Sequence, residues 1–398
     1  MAVAQTGSET RLDGHGHIPA LDGLRGIAII LVLIVHFFHE EFFVQTGSHL
    51  IIGPVLTKLA LIGTDGVELF FVLSGFLITG ILLDSRDDAH YFRNFYMRRV
   101  LRIFPLYYAT LVAIFVVAPL FLQFDPAAER IVRLQVWLWA YLSNLPFLGR
   151  PWDDSSVFML GHFWSLCVEE HYYLVWPAIV HIVRPKRLPW VCLGAMVLGV
   201  SCRAGYVFLG NDAPWLFRWQ SLTHLDGLAL GSLIAVLVRD QTRLDRHGEW
   251  FRVALRGCLV LGAAYLALSA VPRAWQATLW PYRIFKETVT AGLCGCVLAV
   301  ALRNRPCGLL SAVLENPVLR SFGKYSYGLY VIHGVLRPQL WRLFSIERLI
   351  RLCGSEILAQ VLHLCLCTAV CFALAVGSFH LYEAPFLRLK RYFSPGRP

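Results

Sequence analysis

Residues 25–36, RGIAIILVLIVH, set an arginine and a histidine at the two ends of ten residues that are nearly all aliphatic. Eleven helical steps of about 100° return to within roughly 20° of the starting azimuth, so Arg25 and His36 share one face of a helix. At about 1.5 Å of rise per residue they stand roughly 16 Å apart, about half the hydrocarbon thickness of a bilayer. With Arg25 at a membrane surface, His36 lies near the middle. An ionisable group at that depth is costly and faces a partner, a cavity or a substrate path rather than lipid. A packed histidine hydrogen-bonded to a neighbouring helix has the same spacing, so the spacing leaves both readings open.

The surrounding chain has the composition of a lipid-embedded protein. Of 398 residues, 57% are hydrophobic and 16% charged, which predicts an all-α, polytopic transmembrane helix bundle. Apolar windows long enough to span fall at 26–44, 63–83, 103–122, 162–182, 188–209, 221–238, 253–271, 284–302, 326–344 and 357–381. Ten spans put both termini on one side. With the amino terminus in the cytosol, most basic residues fall inside, as cytoplasmic loops prefer; Arg337, Arg342, Arg348 and Arg351 dilute the bias. The net charge of +10 follows from this asymmetry, and no basic, aromatic-interleaved patch argues for nucleic acid.

Residues 1–17 lack the charged segment and cleavage site of a signal peptide and read as a polar cytosolic tail. The transmembrane domain is expected over 18–388, followed by a second cytosolic tail at 389–398. Within it, 131–148 carries Arg133, Pro146 and the cluster Trp137, Trp139 and Tyr141, which suits an interfacial or re-entrant helix better than a span. Eleven cysteines, mostly inside apolar runs, read as small buried hydrophobes rather than disulfides or metal ligands.

Three further stretches carry polar chemistry. Asp65, Gly66 and Glu68 open the second span, where a helix N-terminus favours a carboxylate in any case. Arg98, Arg99 and Arg102 fall three and four residues apart, so their guanidiniums lie side by side; forked donors of this kind suit phosphates, and topology alone also calls for arginine here. In GHFWSLCVEEHYYLVWP, residues 161–177, His162, Ser165, Glu169 and Tyr173 occupy one helical face, with Glu170 about 100° away. Ser326, Tyr330 and His333 repeat the arrangement in the ninth span. His162, Glu169 and His171 lack the same-face spacing of a zinc site, so no metal is expected.

In order, LDGLRG with Arg25 and His36, GVELFFVLSGFLI, RRVLRIFPLYY, HFWSLCVEEHYYLVWP, SYGLYVIH and the closing YEAPF resemble the integral-membrane acyltransferase 3 family over about residues 19–388. The family's arginine and histidine separated by ten residues match Arg25 and His36. Its R-x-x-R falls on Arg99 and Arg102, and its H-x-W-S-L-x-x-E on His162 to Glu169. The resemblance implies an enzyme of the bacterial cytoplasmic (inner) membrane that moves an acyl group, usually acetyl, from cytosolic acyl-CoA to a hydroxyl of a saccharide or other acceptor. Acyl-CoA is then a co-substrate, with no permanently bound cofactor.

On that resemblance, Arg99 and Arg102, with Arg98 and Arg25, are expected to hold the CoA phosphates. His36 is expected to act as general base or transient acyl carrier, with Glu169 orienting an imidazole or the acceptor. Glu68, His162, Ser165, Tyr173 and His333 are the expected acceptor contacts. Two departures stand out: the chain stops at Pro398 without the fused SGNH esterase-like domain of some relatives, which favours direct transfer, and His224 stands where the family often has arginine two residues before Asp226. The competing readings are a transporter or flippase of a lipid-linked saccharide, with the same His and Glu residues as a proton relay, and an acyltransferase for a macrolide-like small molecule.

Overall fold

Pro19 opens the first helix because proline's missing N–H and fixed φ suit a first helical position. The computed structural model describes residues 18–38, 62–145, 157–208, 220–239, 247–271, 273–276, 278–302 and 308–393. Helix α1 runs Pro19–Phe37. The expected window began seven residues later, at 26; the structure therefore places Arg25 inside the helix rather than at its entrance, and His36 in its last turn. The part of that window beyond Phe38, like the 1–17 tail, lies outside the described residues.

The helices that position the interior follow in order as α2 (Gly66–Asp84), α3 (Tyr91–Val112), α4 (Pro126–Trp139), α5 (Trp164–Ile182), α6 (Leu188–Phe208), α7 (Leu225–Arg239), α8 (His247–Ser269) and α9 (Trp280–Ala301). After them come α10 (Pro317–Lys324), α11 (Ser326–Leu343) and α12 (Glu356–Ser378). No strand occurs among the described residues.

By length and composition, 8 helical runs among the described residues can cross a membrane, and they account for all the expected spans except α5 and α11. Those two are helices of 19 and 18 residues. They are less apolar because they carry Glu169, Glu170 and His171 on α5, and His333 and Arg337 on α11. Their polar faces turn inward, so neither relies on lipid contact along its whole surface. α4, with 14 residues, is too short to cross a ~30 Å core at about 1.5 Å per residue.

The bundle packs through close backbone approaches. α2 lies against α7, where a Cβ on Gly75 would fall 1.9 Å from the Leu228 carbonyl oxygen and one on Gly231 2.0 Å from that of Val72. Small residues at such a crossing allow the interhelical contact that lipid-facing helices otherwise lack. α1 packs against α10, α2 and α11, and Gly26 in its LDGLRG segment sits beneath the Leu319 carbonyl.

A buried ionic hub ties α6, α7 and α9. Arg203 donates to both carboxylate oxygens of Asp226 at 3.2 and 2.7 Å, Thr288 donates to the same carboxylate at 2.7 Å, and Arg203 Nε donates to the Ile284 carbonyl. This satisfies a mid-span arginine within the protein.

α12 continues through a π-turn at Phe379–Glu383, the short helix Ala384–Arg388 and a 3-10 turn at Leu389–Phe393. The whole run is 38 residues, far beyond the ~20 that cross a bilayer. Its end packs along α3, with the Arg93 guanidinium 5.9 Å from the Phe393 ring centre. Residues 389–393 of the expected tail are thus a docked turn; 394–398 lie outside the described residues. The ten described cysteines are all unpaired.

Replacing Gly231 by leucine forces α2 and α7 apart and is expected to destabilise the bundle by about 1–3 kcal/mol. Thermal unfolding of the detergent-solubilised protein, followed by intrinsic fluorescence, checks this: the midpoint falls for Gly231→Leu and stays at the wild-type value for Leu374→Ala on the exposed face of α12.

Candidate active site

Three helices supply a polar column through the interior. α1 and α11 run parallel and α5 antiparallel to them, because Arg25 on α1 meets Ser326 on α11, while at the other end His36 meets His333, which in turn meets His162 in the turn before α5. Taken along the column, the order is a cation cluster, then Glu169, then the hydroxyls of Ser165 and Tyr330, then three histidines.

At the first end lies a cavity of about 270 Å³ with Arg25, Arg99, Arg102, Glu169, Glu170 and Tyr173 in its wall, closed on the apolar side by α2 residues such as Phe70 and Leu73. Arg25 Nη2 donates to Ser326 Oγ at 2.9 Å. The Arg99 guanidinium lies 6.0 Å from the centre of the Tyr173 ring and 5.9 Å from that of Phe95. Its Nε is buried without a hydrogen-bond partner, and neither Arg99 nor Arg102 forms an ion pair with a carboxylate among the described residues. Unpaired guanidiniums in a confined space are costly unless an anion joins them.

Glu169 is held by a hydrogen bond from the Tyr173 hydroxyl at 3.0 Å, and Ser74 bonds that same hydroxyl. Arg25 and Arg99 face its carboxylate. The expectation that Glu169 orients an imidazole is not met. It shares a helical face with His162, but seven residues of rise separate them by about 10 Å, which puts the carboxylate with the arginines.

At the inner end of the cavity Tyr330 and Ser165 share a hydrogen bond of 2.5 Å, and the Tyr330 hydroxyl donates to the His162 carbonyl at 2.8 Å. Beyond this pair the rings of His36 and His333 lie 4.8 Å apart edge to face, and those of His333 and His162 5.0 Å apart. His36 Nδ1 donates to the Val32 carbonyl at 2.8 Å, which leaves the lone pair on Nε2. His333 is 0% exposed; its Nδ1 donates to the Leu329 carbonyl at 3.1 Å, and its Nε2 is buried without a partner. His162 uses Nε2 toward the Val331 carbonyl at 3.3 Å.

The three histidines do not line the cavity; the Ser165–Tyr330 pair stands between. His36 itself is half-buried rather than enclosed. The ring of His162 fits only because residue 334 is glycine: a Cβ there would lie 2.2 Å from His162 Nδ1.

Two expected site residues stand apart. Glu68 turns to His224, whose Nδ1 lies 2.8 Å from its carboxylate, and it is not in the cavity wall. The reason is local: Gly227 on α7 leaves room for the Glu68 side chain, which a Cβ there would approach to 2.9 Å. Arg98 is also absent from the wall, one turn before Arg102. Sequence reasoning placed Glu170 off the site face, yet it lines the cavity, because the cavity curves around α5. Ser74 was missed altogether; a lone hydroxyl within LFFVLSGFLI was its only signal. A larger open depression of about 870 Å³ beside Arg184–Arg187 holds cations but no carboxylate or imidazole in its wall. Among the described residues, no group of His, Cys, Asp and Glu is arranged to hold a metal ion.

The architecture is that of a multi-pass membrane protein with an internal cavity walled by three arginines and two glutamates, and a set of imidazoles beyond its Ser165–Tyr330 end. Residues 18–376 match the family model described as an acyltransferase domain, and the chain belongs to the acyltransferase 3 family. It is 26% identical over 390 residues to the putative peptidoglycan O-acetyltransferase YrhL of Bacillus subtilis, covering 93% of this chain and 55% of that protein. To the peptidoglycan O-acetyltransferase OatA of Listeria monocytogenes it is 25% identical, covering 82% of this chain and 52% of the relative. The acyltransferase MdmB of Streptomyces mycarofaciens is 26% identical, with 79% and 78% covered. The chain thus spans about half the length of the first two relatives. No solved structure matches it.

Gly334→Ala is expected to displace His162 from between Tyr330 and His333 at a cost of about 1–3 kcal/mol. Thermal unfolding in detergent checks it, with a lowered midpoint for Gly334→Ala and an unchanged one for Gly377→Ala, where a Cβ meets open space.

Proposed function

We propose that the chain is an integral-membrane O-acyltransferase that moves an acyl group, acetyl in the simplest case, from acyl-CoA to a hydroxyl of a saccharide or polysaccharide precursor. The observation that carries this is the column itself: unpaired Arg99 and Arg102 open into a cavity that ends at the Ser165–Tyr330 hydroxyls, with the basic nitrogen of His36 in the next layer. The names of the peptidoglycan O-acetyltransferase relatives support acetyl as the group and a cell-wall glycan as the acceptor class.

Arg99 and Arg102, with Arg25, bind the phosphates of the donor at the cytosolic end. Each forked guanidinium offers paired donors to phosphate oxygens, and the cavity keeps water from competing. Glu169, braced by Tyr173, is a positioning residue that holds Arg25 and Arg99 by its charge. The pantetheine arm follows the face of α1 over the roughly 16 Å from Arg25 to His36, and the thioester comes to rest by Ser165 and Tyr330.

Transfer then needs one base. His36 Nε2 takes the proton of the acceptor hydroxyl as its oxygen attacks the thioester carbonyl. The tetrahedral intermediate collapses by breaking the C–S bond, and the departing thiolate takes the proton back from the imidazolium. The products are the O-acyl ester and CoA, with no net proton change. Attack by His36 itself, giving a transient acyl-imidazole, uses the same geometry. His333 and His162 sit beside His36, and the unpartnered Nε2 of His333 accepts a hydrogen bond from the incoming acceptor.

Transfer of label from radioactive acetyl-CoA to a soluble glycan acceptor by purified protein in detergent tests this reading. Activity without a gradient is expected of an enzyme and contradicts the transporter. His36→Ala is expected to lower kcat by at least about 10²-fold, the contribution typical of a lost general base; a folded variant with full transfer would remove His36 from the scheme. Arg102→Glu is expected to raise KM for acetyl-CoA about tenfold or more while leaving KM for the acceptor unchanged.

A further inference from the structure

The turn Leu389–Phe393 brings beside the site a cation that the family motifs do not include. We propose that Lys390 belongs to the donor site and binds the 3′-phosphate of the acyl-CoA nucleotide. The proposal rests on the reading of the cavity as an acyl-CoA site.

Its placement is fixed by the docked end of the chain. The Tyr382 hydroxyl reaches the Pro105 carbonyl on α3 at 3.4 Å, Arg93 stands over the Phe393 ring, and the turn between them packs along α3. α3 carries Arg98, Arg99 and Arg102. Lys390 is partly buried there, and the charges acting on its ammonium are those of Arg102, Arg99, Arg98 and Arg25. It has no hydrogen bond or ion pair with any described residue.

Arg25, Arg99 and Arg102 in the wall of a small cavity, with Arg98 and Lys390 outside it, therefore form a cluster of five cations, countered in the wall by Glu169 and Glu170. Gathering like charges in a partly water-excluded place opposes folding, so the cluster is favourable only with a polyanion present. The donor supplies one: its nucleotide has a diphosphate and a phosphomonoester, which at neutral pH carries close to two negative charges. Arg25, Arg99 and Arg102 line the cavity into which the pantetheine arm must pass, whereas Lys390 is not in its wall. The order of groups along the donor is thioester, pantetheine, diphosphate and then the ribose 3′-phosphate. The arginines of the wall match the diphosphate, and the outlying lysine matches the terminal monoester. A compact ammonium on a long stem suits that group, which needs charge more than a planar fork.

Calorimetric titration of the purified full chain in a non-ionic detergent, with CoA and with dephospho-CoA, tests the assignment. Wild type is expected to bind CoA about tenfold tighter than dephospho-CoA, the equivalent of one charge-assisted contact. Lys390→Gln is expected to lose about tenfold for CoA, remain within about twofold for dephospho-CoA, and so abolish the preference; Lys390→Arg restores it. Unchanged CoA binding by Lys390→Gln, or equal loss for both ligands, overturns the assignment while leaving the donor cavity intact. Wild type binding neither ligand overturns the donor reading itself.

Lysine at a membrane surface also meets lipid phosphates. The same titrations are therefore repeated in nanodiscs of phosphatidylcholine with and without phosphatidylglycerol. The CoA preference is expected in both; a Lys390→Gln effect that appears only with phosphatidylglycerol assigns the lysine to a lipid headgroup and overturns the proposal.

Discussion

A guanidinium and an imidazole carried on one face of a hydrophobic helix must be met by protein, because lipid offers them neither a hydrogen bond nor a counter-charge. Helix α1 imposes that demand at two heights, and the bundle is arranged to satisfy it. At the lower height α11 brings Ser326 to Arg25; at the upper, α11 brings His333 to His36, and the turn before α5 brings His162 to His333. The polar helices α5 and α11 can lie in a membrane because their polar faces look at α1 and at each other.

Among the buried side-chain atoms left without a hydrogen bond, two belong to the column, one at each end of it. Arg99 keeps a buried, unbonded Nε, and His333 a buried, unbonded ring nitrogen. Each such group costs about 1–3 kcal/mol when left unpaired. By contrast the Arg203–Asp226–Thr288 hub, equally buried, is fully bonded. The hub has a plain structural task, joining three helices, whereas the open valences of the column are what the proposed ligands would meet. Arg99 and His333 flank the Ser165–Tyr330 hydroxyls, the point at which the proposed reaction brings donor and acceptor together.

Much of this was legible in the chain. Apolar windows gave the helices, and helical phase put Arg25 with His36 and aligned His162, Ser165 and Tyr173. Phase and rise, however, give only a face and a height on one helix. They do not say which helix stands opposite, so the partnership of Ser165 with Tyr330, of Glu68 with His224 and of Ser74 with Tyr173 had no sequence signature. Glu169 shows the same limit: its face was right, but its height placed it among arginines. The starting register of α1 was misjudged because the helix begins at Pro19, within a stretch of small and polar residues that hydropathy discounts. Lys390 lies within the tail expected at 389–398, and only the folded-back turn brings it to α3.

The central claim is that the bound donor reaches from the cation cluster past the Ser165–Tyr330 pair to His36. Cryo-electron microscopy of the full chain with a non-transferable thioether analogue of acetyl-CoA measures it directly. The account requires the phosphates on Arg99 and Arg102 and the thioether between Ser165, Tyr330 and His36, with the reactive carbon within about 3–4 Å of the place an attacking oxygen would occupy. Nucleotide bound instead in the open depression at Arg184–Arg187, or a pantetheine arm turned away from α1, would contradict it.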